Sequence, residues 1–385
     1  MKYDVLVIGG GPIGLLSALS LHKLGLNIAV LEAKKEDQYF SNLQALRLYA
    51  IAEGSLRIIQ ETCDILKNEF DGQPINKILV ADRMTMRSLT FDPTTIGSAD
   101  FGMMIDEGAL QKTLYDKIVE RKIPIIFGQS VDSIEESAVI TSKKKRMQAN
   151  LFIVTDGKKS VTRALMGFGV RKHKYDQIAF VADIELETPH KGLAVENFTP
   201  QGPFAILPKI GGNVSSIVWT MPKKFASTLQ TLDESIVNAL INDRASDIFG
   251  KIKLISSHAF FELELQEAKD AIHGRFVLLG DSLHAIHPIA GQGLNLSIRD
   301  LQMLYIAIKD GHSLGLDIGN NTLVQDAYKK RELDNKTMAT ATTVLNALFA
   351  NNIPVIESIR SFGLSLVDES TIAKSIFMNY ASGNI

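Results

Sequence analysis

The chain has 385 residues, of which 45% are apolar and 22% charged, an ordinary globular composition on a chain too long for one typical core. A net charge of −2 gives no footing for nucleic acid, and a single cysteine, Cys63, excludes an internal disulfide and a cysteine-rich metal cluster. Glycines and charges interrupt every apolar run before ~18 residues, so no membrane-spanning helix is expected. The N-terminus carries a turn signature rather than a cleavage pattern, and the chain reads as folded protein in the cytoplasm.

Tyr3-Asp4-Val5-Leu6-Val7-Ile8 is a buried strand that runs directly into Gly9-Gly10-Gly11-Pro12-Ile13-Gly14, a G-x-G-x-x-G. Leu15 to Leu24 has helical apolar spacing, Gly25 ends it, and Ile28 to Leu31 forms the next strand, closed by Glu32. In that order Gly9 makes the tight turn, Gly11 admits a pyrophosphate to the backbone, Gly14 packs helix on strand, and Glu32 binds ribose hydroxyls. An acid at position 32 favours an unphosphorylated ribose, as in FAD or NAD.

From Ser41 to Leu66 the pattern is helical, and Arg47 taken alone reads as a solvated surface charge. Pro74 to about Asp106 changes to short β-like pieces, a first excursion out of the nucleotide domain. Helical spacing returns at Leu110, Leu114 and Ile118, followed by a strand over Ile123 to Phe127. Lys143-Lys144-Lys145-Arg146 is a hairpin tip. Leu151 to Val154 is another buried strand, ending in Thr155-Asp156-Gly157, with Ser160 and then Arg163 at a helix start. Lys174 to His273 reads as alternating strands with one helix over about Asp233 to Phe249, a candidate wall over a substrate pocket.

Phe276 to Leu279 returns the chain to the sheet. It leads into Gly280 to Asp300, GDSLHAIHPIAGQGLNLSIRD, around which the rest is organised. Gly280 turns the backbone, Asp281 stands at the carboxyl end of a strand, and Pro288, Gly291 and Gly293 leave a bare backbone before a helix from Leu294 to about Ile308. A helix start of this kind offers unpaired N–H groups and a positive dipole end. Glycine patterns this short also serve packing alone. After Leu304 the chain is helical, broken by Gly311–Asn321, Pro354 and Gly363. Met338 to Tyr380 carries an apolar stripe that suits the protein's own core better than a membrane surface. No metal-ligand spacing occurs.

Three separated motifs resemble those of the FAD-dependent aromatic hydroxylases, the class A flavoprotein monooxygenases. They are GGGPIG with Glu32; Asp156-Gly157-x-x-Ser160-x-x-Arg163, similar to the family's DG motif; and GDSLHAIHPIAGQGLNLSIRD, similar to its GD motif. Softer matches resemble the ubiquinone-biosynthesis hydroxylases: Tyr175-Asp176-Gln177-x-Ala179; Glu196-x-Phe198-Thr199-Pro200-x-Gly202-Pro203-x-Ala205-x-Leu207-Pro208; Arg331-x-x-Asp334-Asn335; and Arg360. Two departures are noted. Ser282 and Leu283 stand where the family usually has alanine, as does Thr155, and these residues tighten packing without abolishing flavin binding.

The resemblance implies an α/β fold: a Rossmann-like FAD-binding domain (1–73, 106–173 and 273–385, with C-terminal helices) and an inserted β-rich substrate domain (74–105 and 174–272). It implies that Gly9, Gly11, Gly14, Glu32 and Arg47 hold the ADP and phosphates of FAD, that Gly280 and Asp281 meet the ribityl chain, and that Asp156, Gly157 and Arg163 serve FAD and NAD(P)H. A helix N-cap with a local ion pair is the other reading of Asp156 and Arg163. Pro288, Gly291, Gln292 and Gly293 would lie against the flavin ring, with Asn295 adding a donor and Gln111 a weaker contact. NAD(P)H or another donor would reduce FAD, and a flavin hydroperoxide would pass oxygen to the ring of a polyprenylated phenol in ubiquinone biosynthesis, in a dry pocket beside Phe198 and Phe204. His284 and His287 read as structural hydrogen-bonders, and no general base is assigned. Other ubiquinone-pathway enzymes are the expected partners, with peripheral contact on the inner membrane face at most. The competing readings are a hydroxylase of another aromatic, a prenyl-chain reductase, and a non-catalytic prenyl-lipid escort on the same fold.

Overall fold

The apolar run after Met1 forms β1 (Lys2–Ile8), whose last four residues are sealed from solvent. In the computed structural model, which describes residues 2–41, 47–82, 87–286, 292–331, 337, 340 and 370–383, β1 is the middle of a largely parallel sheet. On one side lie β11 (Arg146–Val154) and β19 (Phe276–Leu278); on the other lie β2 (Ile28–Leu31) and β8 (Ile125–Ile126). Antiparallel β18 (Ile272–His273), β10 (Ala138–Thr141) and β9 (Val131–Glu135) extend it. A parallel sheet needs cover on both faces, which is why its strands are continuously apolar.

That cover is visible in the two cores. On one face α1 (Pro12–His22), α3 (Glu53–Cys63), α4 (Glu107–Glu120) and α8 (Gln292–Ser313) bring Leu15, Ile59, Leu114 and Ile298 onto Val7 and Ile153. On the other face Leu6, Phe152 and Phe276 pack with Val139 and Met147, the two phenylalanine rings stacked at 4.3 Å. α1 is buried nearly all round, with Pro12 at its first turn, as expected of a helix jammed between a sheet and three other helices. The short α2 (Glu36–Ser41) follows β2.

A second sheet is built on β12 (Val170–Leu186), with order β20 (His284–Ala285), β17 (Ala259–Ala268), β12, β15 (Val214–Pro222), β14 (Gly202–Pro208), β13 (Leu193–Thr199), β5 (Lys77–Asp82), β6 (Arg87–Phe91), and β16 (Ile252–Leu254) beside β12. The β5–β6 hairpin joins this sheet through the parallel pairing of β5 with β13. Its outer face is closed by α6 (Lys223–Leu229) and α7 (Glu234–Phe249), which cover Phe180, Ile206, Ile217 and Trp219. Its inner face turns to a small third sheet of β3 (Leu48–Ala52), β4 (Gln73–Pro74) and β7 (Gly102–Asp106), and to α10 (Thr371–Ala381). The short α5 (Val161–Leu165) follows β11, and α9 covers 321–331.

Two expectations are corrected here. The helical pattern over 41–66 is interrupted by β3, since Leu48 to Ala52 pair antiparallel with β7 and only then does α3 begin. Phe204 does not line the inner face: it is fully buried against Trp219 beneath the helices, because strand alternation places it beside Asn197 rather than Phe198. Phe198 does face inward. Most of 338–380, including Pro354, Arg360 and Gly363, lies outside the described residues, as do Asp334 and Asn335.

Candidate active site at the carboxyl edge of the parallel sheet

Ile8, Val154 and Leu278 end three neighbouring parallel strands in register. Each is followed one to three residues later by a glycine at positive φ: Gly9 at 109°, Gly157 at 84° and Gly280 at 70°. Three chain reversals thus converge at the edge where open α/β sheets bind ligands. Two hydroxyls stitch them together. Thr155 Oγ1 lies 3.0 Å from Ile8 O and 2.9 Å from Gly9 O, and Ser282 Oγ lies 2.6 Å from Val154 O. These are the positions where the family more often has alanine, so the departures noted in the sequence add bonds between the motifs.

At the first turn each glycine has a distinct reason. A Cβ on Gly9 would strike the Thr155 carbonyl, and one on Gly14 would strike the Gly9 carbonyl. Gly11, by contrast, faces open space, so no protein group demands a glycine there. Glu32 is buried, its carboxylate accepting from Gly10 N at 2.7 Å and Lys34 N at 2.8 Å. Tyr39 was not singled out from the sequence, yet its hydroxyl donates to Gly10 O at 2.6 Å. Burial pushes its phenol above the ordinary range, opposed by a hydrogen bond with Gln111. Gln111 thus reaches the glycine turn through Tyr39. No local pattern flags Tyr39, an aromatic inside a short polar helix.

At the second turn Asp156 Oδ2 accepts from Thr162 N at 3.1 Å, while its Oδ1 is buried with no hydrogen-bond partner among the described residues. Ser160 Oγ caps the same helix by accepting from Arg163 N at 2.9 Å. The Arg163 side chain is buried and donates to Ser282 O at 2.6 Å and Lys158 O at 2.7 Å. It is therefore a clasp between the second and third turns.

At the third turn Arg47 and Asp281 meet at 3.9 Å, both part-exposed, although more than two hundred residues separate them in the chain. The Arg47 guanidinium lies 4.9 Å above the Tyr49 ring, and Tyr49 in turn donates to Glu107 Oε1 at 3.1 Å. A Cβ added to Gly280 would come within 3.4 Å of Ile13, in the first turn of α1. Gln292 and Gly293 open α8, whereas His287, Pro288 and Gly291 lie outside the described residues. The Asn295 amide accepts from Ala52 N at 2.9 Å and donates to Ala50 O at 2.8 Å. It ties the start of α8 to β3. Among the described residues no cluster of side chains could hold a metal ion.

A dinucleotide fits these features. The cradle is open at Gly11, where a side chain would fill it; the α1 N-terminus points there; Arg47 supplies a cation; and Asp156 keeps one oxygen unengaged. A glycine turn with its acid, two further turns at the same sheet edge and a second sheet beside them define a flavoprotein. Residues 2–310 match the family described as FAD binding domain. The chain is 30% identical to ubiquinone hydroxylase UbiL of Rhodospirillum rubrum, covering 99% of this chain and 90% of that one. It is 25% identical to the 3-demethoxyubiquinol 3-hydroxylase of Escherichia coli, covering 99% and 98%. In fold it is similar to p-nitrophenol 4-monooxygenase PnpA of Pseudomonas putida, with a TM-score of 0.77 at 16% identity over 98% of this chain and 97% of that one. The chain belongs to the FAD-binding family of aromatic hydroxylases.

Proposed function

We propose that the chain hydroxylates the aromatic ring of a polyprenylated phenol in ubiquinone biosynthesis, with dioxygen as co-substrate and NAD(P)H or another donor as reductant. The observation that carries this is similarity over nearly the whole chain to relatives named as ubiquinone-pathway hydroxylases. The inner face of the second sheet supports it. Ala179, Val181, Ala205 and Phe198 share that face and make it mostly apolar, which would suit an aromatic ring and a hydrocarbon tail.

FAD, when bound, supplies the activation of dioxygen. The chain's own residues position it. In this reading Gly9, Gly11 and Gly14 shape the pyrophosphate cradle, Glu32 faces ribose from the end of β2, Arg47 neutralises phosphate, and Asp281 meets the ribityl chain beside Gly280. Asp156 and Gly157 border the same cleft, and Arg163 holds it shut at the back. Backbone N–H groups at Gln292 and Gly293, with Pro288 and Gly291 before them, would stabilise negative charge on the ring. The wall of the second sheet excludes water. The β-rich part, 74–105 and 174–272, is the substrate domain in this scheme.

A prenylated substrate dwells in a bilayer, so the enzyme would work in peripheral contact with the inner face of the membrane, alongside other enzymes of the pathway. Among the described residues no helix is long and apolar enough to cross. Ile372, Ile376 and Phe377 are exposed on α10 and suit such contact.

The test is incubation of the FAD-loaded protein with NADH or NADPH and a prenylated phenol, followed by product mass. A gain of one oxygen is expected. A gain of two hydrogens would instead mark a prenyl-chain reductase, and a colourless protein that takes up no FAD would mark an escort.

A further inference from the structure

Among the described residues of the site, none has yet been assigned to take a proton from the phenol. Glu196 lies on β13 between Ala194 and Phe198, and the ladder sets it opposite Ala205 on β14 and Val80 on β5. Paired residues of a ladder share a face, so all of these point inward, away from α6 and α7. The outer face is saturated: Phe204, Ile206, Ile217 and Trp219 are wholly buried. On the inner face Val80, Glu196, Leu207 and Val218 keep partial exposure, so this face is less tightly covered than the outer one. The same face meets Leu48, Ala50 and Met104 of the third sheet, and Ala50 is the residue held by Asn295 at the start of α8. The carboxylate therefore stands on the wall that faces the flavin-side helix.

Among the described residues nothing donates to Glu196, and no cation pairs with it. Its inward-facing neighbours on β14 and β15 are Pro203, Ala205, Leu207, Ser216, Val218 and Thr220. The titratable groups on this face are Asp82, opposite Arg87 on β6, and Asp183, bonded to Lys209 at 2.9 Å; Lys209 also reaches Asp106 at 3.0 Å on the third sheet. The other facing side chains, Leu48, Phe101, Met104 and Met378, are apolar. Proteins rarely hold a carboxylate in such surroundings unless it has work to do.

We propose that Glu196 is the general base that accepts the hydroxyl proton of the phenolic substrate, an assignment that rests on the hydroxylase reading above. The phenol O–H bond breaks, the proton passes to a Glu196 oxygen, and the bonding pair stays on the ring oxygen. That pair enriches the carbons ortho and para to it, where oxygen is to be inserted, and Glu196 returns its proton to the ring oxygen once aromaticity is restored. No oxidation accompanies the transfer itself. Burial pushes the carboxyl up to about 7, so it can both take and give a proton near neutrality.

The test compares wild-type protein with Glu196→Gln and Glu196→Asp, each loaded with FAD, using 2-geranylphenol as the probe. Wild type should show a rise in kcat/KM for oxygen insertion through about pH 7, and calorimetric binding of 2-geranylphenol should strengthen over the same interval. Glu196→Gln should keep its FAD and melting temperature, lose about 100-fold or more in oxygen insertion, and bind the phenol without pH dependence. Glu196→Asp should retain the pH-dependent rise. A Glu196→Gln protein that hydroxylates at the wild-type rate with the same rise overturns the assignment alone. A wild type that leaves every phenol unoxidised at every pH removes the hydroxylase reading, and the base assignment falls with it.

Discussion

His284 Nε2 lies 2.6 Å from Asp300 Oδ2, and both side chains are buried. His284 belongs to β20, just before the loop expected to face the flavin, and Asp300 belongs to α8, just after it. Arg331 Nε reaches the other Asp300 oxygen at 3.0 Å and draws α9 into the same cluster. The two ends of the loop are thus fastened to each other by a buried ion pair.

That pair predicts a pH-dependent stability. Burial would lower the His284 imidazole, but the Asp300 carboxylate outweighs it and holds the value above the ordinary range. Burial would raise Asp300, but His284 and Arg331 hold it below the ordinary range. The histidine contribution is therefore full below about pH 6.5 and is lost as pH rises through its raised value. The aspartate contribution is present above about pH 3.9 and is lost as pH falls through its lowered value. Asp300→Asn should cost about 3–5 kcal/mol within that plateau. Denaturant unfolding of both proteins across pH should show the difference narrowing at the alkaline end; a constant difference would rule the pair out as its source.

The glycine turn predicts two different failures. Gly14→Ala sets a methyl against the Gly9 carbonyl and should lower the melting temperature of the flavin-free protein. Gly11→Ala meets open space, so the flavin-free protein should melt as wild type does while FAD affinity drops by about tenfold or more. Thermal melts of apoprotein beside FAD titrations separate the two.

Arg163 predicts a structural loss. Its two charge-assisted bonds to Ser282 O and Lys158 O join two corners of the site. Arg163→Met should destabilise the flavin-free protein by about 3 kcal/mol. An unchanged apoprotein melt combined with weaker FAD binding would instead mark a ligand role.

Cys63 predicts an absence of reactivity. Burial first of all pushes its thiol up to about 12, against a weak hydrogen bond with Thr62. At pH 8 the folded protein should resist iodoacetamide, with alkylation appearing only on unfolding, as intact mass would show.

Much of the fold was legible along the chain. β1, the glycine turn, α1, β2 and Glu32 follow one another within about thirty residues, and each carries its local signature. The hairpin tip over Lys143–Arg146 and α7 were equally plain, because turn residues and helical spacing are short-range signals. β3 was misread because five residues of apolar spacing suit a helix until β7 offers its edge. Phe204 was misread because nothing local says which face of a strand the covering helices will take.

The sequence by itself determined the nucleotide-binding unit, the second β-rich part and the three glycine corners, since each depends on backbone freedom and apolar spacing between near neighbours. Only the tertiary structure decided what the polar side chains do there: Arg163 and Asn295 turn inward to carbonyls, while Glu196 stands on the inner face of the second sheet without a partner among the described residues. A side chain's hydrogen-bond partners come from strands and helices a hundred or more residues away, and no periodicity along the chain records which of them will arrive.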